Sequence, residues 1–423
     1  MMTVAVFALL LLGYAAVSRR LERIWVTAAM AFLVAGALLG PAGLEVLDLH
    51  LESEAVKLLA EAALAVALFS DAARIDLKAL RSTLYLPERL LGIGLPLTIV
   101  LGALVAAPLL PGLTIAEMAL LATILAPTDA ALGQQVVTDE RVPLSIRQGL
   151  NVESGLNDGI AVPIYLVLLE AAKAESTSES ATRFTAVAAQ QIGIGLAAGL
   201  VAGAIAGWVL HRFGEREWME SAWRQIVMLA GAALAFALAD SLGGSGFIAA
   251  FVGGMTFGWI AKDRGLGTAY LSEEVSAVLG AAVFLVAGAI GLGALQGVGW
   301  RPFVYAAVSL TLVRMVPVAL ACLGTRLKPP SVAFVGWFGP RGLASIVFGL
   351  GILEASLAGQ SLLIQTIMAT VLLSVFAHGM SASPLAGAYG RWYAQIGSAA
   401  EAECAEVGEQ RAKVSLRSPG KRV

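Results

Sequence analysis

Apolar segments long enough to enter a lipid bilayer recur along almost the whole 423-residue chain. They lie near residues 2–17, 25–40, 54–72, 90–110, 114–136, 149–172, 185–210, 222–240, 245–261, 273–295, 302–324, 332–354 and 361–387, thirteen in all. A bilayer's hydrocarbon core is about 30 Å thick and takes roughly 20 helical residues to cross. Within it every backbone N–H and C=O must find a partner, which a helix supplies from its own segment. Only 14% of the residues are charged, against about 25% in soluble domains. The expected fold is therefore an all-α polytopic membrane protein of about thirteen transmembrane helices.

The basic residues give the orientation. With the N-terminus outside, the inner loops hold Arg19, Arg20, Arg23, Arg74, Lys78, Arg81, Arg89, Arg141, Arg147, Arg212, Arg216, Arg224, Lys262, Arg264, Arg326 and Lys328. Together with the C-terminal tail they account for 22 of the 28 basic residues. Lysine and arginine concentrate in cytoplasmic loops, so the N-terminus is placed outside and the C-terminus in the cytoplasm. Thr3–Val17 has no basic residue before it and is followed by Ser18-Arg19-Arg20, the reverse of a secretory signal, so it reads as an uncleaved first span. Residues 1–389 form the expected transmembrane domain, and 390–423, with Glu401, Glu403, Glu406, Glu409, Arg411 and Lys413, a polar cytoplasmic tail.

The chain repeats itself. Thr27–Gly40 resembles Gly246–Gly258, Phe69 matches Phe284, and Leu125-Ala126-Pro127-Thr128-Asp129-Ala130 resembles Phe338-Gly339-Pro340-Arg341-Gly342-Leu343. Two repeats follow, about 2–172 and 222–387, joined by a linker helix at 185–210. Seven spans separate their starts, so the copies are inverted in the membrane, as in many secondary transporters. Pro127 and Pro340 fall mid-span in corresponding helices. Proline removes a backbone donor and clashes with the preceding turn, and Gly339 and Gly342 weaken the second span further. Two interrupted, crossing helices are expected, with half-helix ends meeting near the membrane centre. Thr128 and Asp129 then lie at the positive N-terminal end of a half-helix.

Glu153, Ser154, Asn157 and Asp158 sit together in Gly149–Ala172, an otherwise apolar stretch. A carboxylate at that depth costs at least ~2.5 kcal/mol, so two of them point to function. At helical spacing Glu153 and Asn157 form one row and Ser154 and Asp158 the adjacent row. Their oxygens, with Thr128 and carbonyls freed at the helix break, form a candidate site for a small monovalent cation. Burial favours the protonated form of a carboxylate, so exchange of a proton for a cation on Asp158 is plausible chemistry near neutral pH.

Arg314 is the other costly charge, and Glu153 is its best partner, with direct transport by Glu153 as the alternative. Arg341 can satisfy carbonyls or the negative half-helix end at the second break, in a structural or a functional role. Asp71 and Glu61 are left open, and His378 is read as a satisfied buried histidine. Cys322 and Cys404 carry no CxxC or Cys/His spacing, and His50, His211 and His378 are far apart, so neither disulfide nor zinc chemistry is indicated. No cofactor and no nucleic-acid partner is expected. Gly243-Gly244-Ser245-Gly246 spells the GxSG of rhomboid-type intramembrane proteases, with His378 as a formal base, but Gly-rich turns produce such strings easily. An organic-anion transporter on an inverted-repeat fold is the nearer alternative, and it would lack the Asn157-Asp158 pair.

Over residues 25–385 the chain resembles the NhaP-type sodium/proton antiporters of the monovalent cation:proton antiporter superfamily. The resemblance rests on Ala126-Pro127-Thr128-Asp129-Ala130 and Asn151-Val152-Glu153-Ser154-Gly155-Leu156-Asn157-Asp158-Gly159. Leu68-Phe69-Ser70-Asp71, Gly246-Phe247-Ile248-Ala249-Ala250-Phe251, Arg314 and Gly339-Pro340-Arg341-Gly342 support it. It implies an alternating-access exchanger of Na+ (or Li+ or K+) for H+, with the cation and proton sharing Asp158 and with Thr128 and Ser154 as further ligands. Asp129 would balance the half-helix ends, and Glu153 with Arg314 would form an ion bridge that Asn157 helps to hold. An Asn before the carrier Asp goes, in that family, with one-for-one electroneutral exchange. A homodimer in a prokaryotic plasma membrane, with a six-helix core moving against a dimer domain, is the implied setting.

Overall fold

A computed structural model describes residues 2–47, 53–74, 85–177, 181–216, 218–261 and 269–396. His50, Lys78, Arg81, Lys262, Arg264, Cys404 and the tail from residue 397 lie outside the described residues. In chain order the helices are α1 (Met2–Arg23), α2 (Ala28–Leu39), α3 (Glu54–Ala73), α4 (Tyr85–Arg89), α5 (Leu95–Leu109), α6 (Ile115–Ile124), α7 (Ala130–Val137), α8 (Leu144–Thr177) and α9 (Ala181–Glu215). They continue with α10 (Ser221–Ser241), α11 (Gly246–Ala261), α12 (Ala269–Ala294), α13 (Trp300–Val308), α14 (Arg314–Ala321), α15 (Pro329–Trp337), α16 (Leu343–Ile352) and α17 (Gln360–Ile396). Eight helical stretches among the described residues are long and apolar enough to cross a membrane, and four shorter apolar helices accompany them. Each apolar segment recognised in the sequence falls on a helix or on a helix with an interruption.

Close backbone packing holds the first set of helices together. Gly195, Gly199, Gly203 and Gly207 line one face of α9, and an added Cβ there would meet Ile248, Ala249, Gly253 and Ile260 of α11. Small residues four apart let two helices approach in lipid, where packing rather than the hydrophobic effect drives association. The contacts of α2 with α12 and of α11 with α3 are counterparts. Gly36 lies on the Leu285 backbone and Gly40 on Ala289, while Gly254 lies on the Phe69 backbone and Gly258 on Ala73. Each pair exchanges a helix of one half of the chain for the equivalent helix of the other.

The second set surrounds the interruptions. A π-helical turn, Leu90–Gly94, joins α4 to α5, and a second, Ser309–Val313, joins α13 to α14, again at corresponding places in the two halves. Such turns widen a helix by one residue and are frequent at functional sites. At the far end of α6, Thr114 and Glu117 form a capping box, and the fully buried Glu117 also accepts the Gly359 N–H at 2.7 Å. That bond fixes the start of α17. The last helix runs to Ile396, past the boundary near 387 drawn from hydropathy, because Tyr389 stacks on Phe334 with ring centres 4.2 Å apart and bonds Ser331. Aromatic packing on α15 thus extends the helix into sequence that reads as polar tail.

Candidate ion-exchange site

The two helix interruptions face each other and supply each other's missing partners. Pro127 and Pro340 sit in the gaps, Leu125–Asp129 between α6 and α7 and Phe338–Gly342 between α15 and α16. The gaps are joined directly by a hydrogen bond from the Asp129 N–H to the Pro340 carbonyl, 2.8 Å. Asp129 caps its own half-helix: one carboxylate oxygen accepts from the Ala131 N–H at 2.8 Å and the Leu132 N–H at 3.1 Å. Its other oxygen accepts the Leu343 N–H at 2.7 Å and so caps α16 as well. Gly342, at the N-cap of α16, has no side chain to do this. A Cβ there would overlap the Asp129 carboxylate, so glycine is needed for the close approach. One carboxylate thereby sits on two positive helix ends.

The negative end of α6 is closed from the second break. Arg341, with no exposed surface, donates from Nη1 to the carbonyls of Ala126 and Pro127, the latter at 2.9 Å. Ser345 donates to the Ile124 carbonyl at 2.8 Å. The carbonyls that α6 loses at its break are therefore satisfied from the second break.

Beside the first break runs α8, which carries the polar cluster of the sequence. Thr128 is its meeting point: its hydroxyl lies 2.9 Å from that of Ser154 and accepts the Asn157 amide N–H at 2.7 Å. Asn157 Oδ1 and Asp158 Oδ1 are buried with no protein hydrogen-bond partner. With the Asp158 carboxylate one helical turn on from Ser154 along α8, these oxygens form a hard-oxygen donor set suited to a small cation or a proton. Asp158 lies within electrostatic reach of Asp129, Asp71 and Arg341.

Arg314 and Glu153, each 2% exposed, form a bidentate pair at 2.6 and 2.8 Å. The π-helical turn Ser309–Val313 immediately precedes Arg314, and the guanidinium lies against Gly339 of the second break. Asn157 is turned to Thr128 rather than to this pair. Its amide goes to the Thr128 hydroxyl, while the Glu153 carboxylate takes both of its oxygens to the Arg314 guanidinium. Arg314 and Arg341 keep the remaining N–H groups without protein partners, at Nε of Arg314 and at Nε and Nη2 of Arg341.

The sequence alone assigns Asp71 no role. It comes from α3, packs against Gly155 and reaches Asp129 electrostatically, which puts a fourth carboxylate at the edge of the cluster. Only its position in a Phe-Ser-Asp string near the end of a span could have marked it. Glu61 lies instead nearer the middle of α3, 4.0 Å from Lys57, which pairs with Glu354 at 2.7 Å. A crevice of about 10 Å³ lined by Gly133, Leu150, Asn151, Phe338 and Pro340 reaches Ser154. An apolar cavity of about 30 Å³ lies among α3, α12, α16 and α17, with Val283, Ile346 and Ile367 in its wall. Ser245 accepts the Ile248 N–H as a helix cap, and His378 bonds Trp337 and Ser374, so this serine and histidine have separate partners and form no nucleophile–base pair.

Known proteins share the fold and the sequence pattern. The low-affinity Na+/H+ antiporter NhaS1 of Synechocystis is 28% identical over 249 residues, 54% of this chain and 45% of that protein. The K+/H+ antiporter NhaP2 of Shewanella sp. strain ANA-3 is 25% identical over 85% of this chain and 62% of its own length. The chain thus spans about half to two thirds of these relatives. The structure of the sodium proton antiporter MjNhaP1 from Methanocaldococcus jannaschii at pH 8 superposes with a TM-score of 0.72 at 19% identity, covering 90% of this chain and 99% of that one. The model of the transmembrane sodium/hydrogen exchanger family matches residues 6–388. By that match, which takes in both helix breaks and the α8 cluster, the chain belongs to the sodium/hydrogen exchanger family.

Proposed function

We propose that the chain is a secondary antiporter that exchanges a monovalent cation for protons by alternating access, with Asp158 as the shared carrier. The observation that carries this reading is the unpartnered Asp158 and Asn157 oxygens on the helix whose Ser154 and Asn157 meet Thr128, at a double helix break closed by Asp129 and Arg341. A cation displaces the proton of Asp158 and takes oxygen ligands from Thr128 and Ser154. When the cation leaves, the carboxylate takes up a proton again. Asn157 holds the Thr128 hydroxyl in place and adds no charge.

Charge bookkeeping favours one proton per cation. Glu153 is neutralised by Arg314, and Asp129 sits on two helix N-termini, so Asp158 is the carboxylate left to load and unload. Sodium is the first candidate cation. Relatives are named for sodium and for potassium, so lithium and potassium belong in the same test. The reading includes thirteen crossings in two inverted repeats, with the N-terminus outside and the C-terminus in the cytoplasm of a prokaryotic cell. The reciprocal contacts of α2 with α12 and α11 with α3 support the repeats. A homodimer is part of the same proposal.

Purified protein in proteoliposomes with an acidic interior and an internal pH dye tests it. Sodium, lithium, potassium or choline is added outside in turn. The reading expects saturable alkalinisation with at least one alkali cation and none with choline. Equal responses to all four would sink it.

A further inference from the structure

The second helix break is not held by the first alone. Two of its backbone groups find partners on α17: the Trp337 carbonyl at the end of α15, which also accepts the Gly339 N–H at 2.8 Å, and the Arg341 N–H ahead of α16. The Arg341 N–H donates to the Ser374 hydroxyl at 2.6 Å. The ring of His378 lies one helical turn further along the same face, with Nε2 2.9 Å from the Trp337 carbonyl. A carbonyl only accepts, so Nε2 carries the proton. In the neutral ring Nδ1 is then an acceptor. It faces both the Ser374 carbonyl, at 3.0 Å, and the Ser374 hydroxyl, at 3.1 Å, of which only the hydroxyl can donate. The donors thus run in one direction, from Arg341 N–H to Ser374 to His378 and on to Trp337, and bridge the gap in the interrupted helix. Ser374 and His378 are 0% and 1% exposed.

This chain reaches the candidate ion ligands in two steps. Between the groups it fixes lies Pro340, whose carbonyl accepts the Asp129 N–H, and Arg341 itself closes the Ala126 and Pro127 carbonyls. Those residues flank Thr128. We propose that Ser374 and His378 are positioning residues of the exchange site, which set the cation affinity by clamping the second break and, through it, Thr128. Neither touches the transported ion. The inference rests on the exchange reading above.

The same proteoliposome assay, run over a sodium series, separates this role from a purely structural one. Ser374→Ala removes the acceptor for Arg341, His378→Leu removes both ring bonds at similar size, and His378→Gln keeps an N–H donor for the Trp337 carbonyl. Outer-shell partners of an ion site typically change affinity by tenfold or more, and these act one shell further out. The sodium KM is expected to rise roughly fivefold to tenfold in Ser374→Ala and His378→Leu, with saturated turnover per folded protein within about twofold of wild type. His378→Gln is expected to recover most of the KM. An unchanged KM in Ser374→Ala, or a His378→Gln no better than His378→Leu, overturns the inference while leaving exchange intact. A wild-type chain that moves no protons with any alkali cation overturns the exchange reading and this inference with it.

Discussion

The carboxylate of Asp129 accepts the backbone N–H of Leu343 at 2.7 Å, 214 residues away in sequence, while also capping its own half-helix. A cap is worth about 1 kcal/mol, and here one side chain provides two. Asp129→Ala is therefore expected to lower stability by about 2–3 kcal/mol, read as a fall in melting temperature in detergent. Gly342→Ala, which pushes a Cβ into that carboxylate, should produce a loss of the same kind with Asp129 still present. An unchanged melting temperature in both variants would show that the two breaks do not depend on this carboxylate.

Arg314 and Glu153 form the buried ion pair of the core. Removing one member of such a pair strands a charge and costs roughly 3–5 kcal/mol. Arg314→Ala should lose stability on that scale, and adding Glu153→Gln should restore part of it. Losses that simply add in the double mutant would mean that the two side chains are energetically independent.

Much of the fold can be read from residues that are expensive in lipid. Pro127 and Pro340 mark the gaps because a proline in mid-span costs a helical bond, and Arg314 marks its partner because a lone guanidinium has no low-energy place in a membrane. The partner of Asn157 was not legible. Spacing on α8 pairs it with Glu153, but Thr128 approaches from the first helix break, and only the fold decides that contest. The π-helical turns at Leu90–Gly94 and Ser309–Val313 have no sequence signature, since packing inserts them. The roles of Asp71, Ser374 and His378 likewise depend on which helices the fold brings beside the breaks. Hydropathy ends α17 too early because it does not register the stacking of Tyr389 on Phe334.

At the loop between α7 and α8, Arg141 holds the Asp139 carboxylate with bonds of 2.6 to 3.1 Å, and this pairing keeps Asp139 below the usual carboxylate range. A group with a depressed folded value stabilises the fold above its unfolded value, about pH 3.9 for Asp. Its contribution is lost as the pH falls through the lower folded value. Asp139→Asn should therefore reduce the melting temperature slightly at pH 7, and the difference should shrink below about pH 4. A difference that grows on acidification would contradict the assignment.

One carrier carboxylate implies an electrically silent cycle. An imposed potential contributes ~2.3 kcal/mol per charge per 100 mV, so an electrogenic exchanger would respond strongly. With sodium as substrate and potassium with valinomycin clamping the voltage at zero or about −100 mV, the exchange rate should stay the same. A rate that follows the voltage would mean that a second carboxylate, Asp71, Asp129 or Glu153, also carries protons.

The central claim is that Asp158 carries both ions, and Asp158→Asn tests it most directly. The amide is isosteric and removes a buried charge, so the variant should fold, elute as wild type and keep its melting temperature or gain on it. In proteoliposomes it should show no sodium-dependent proton movement above the protein-free background, at any sodium concentration. Exchange by the folded variant at the wild-type rate would contradict the account and move the carrier elsewhere.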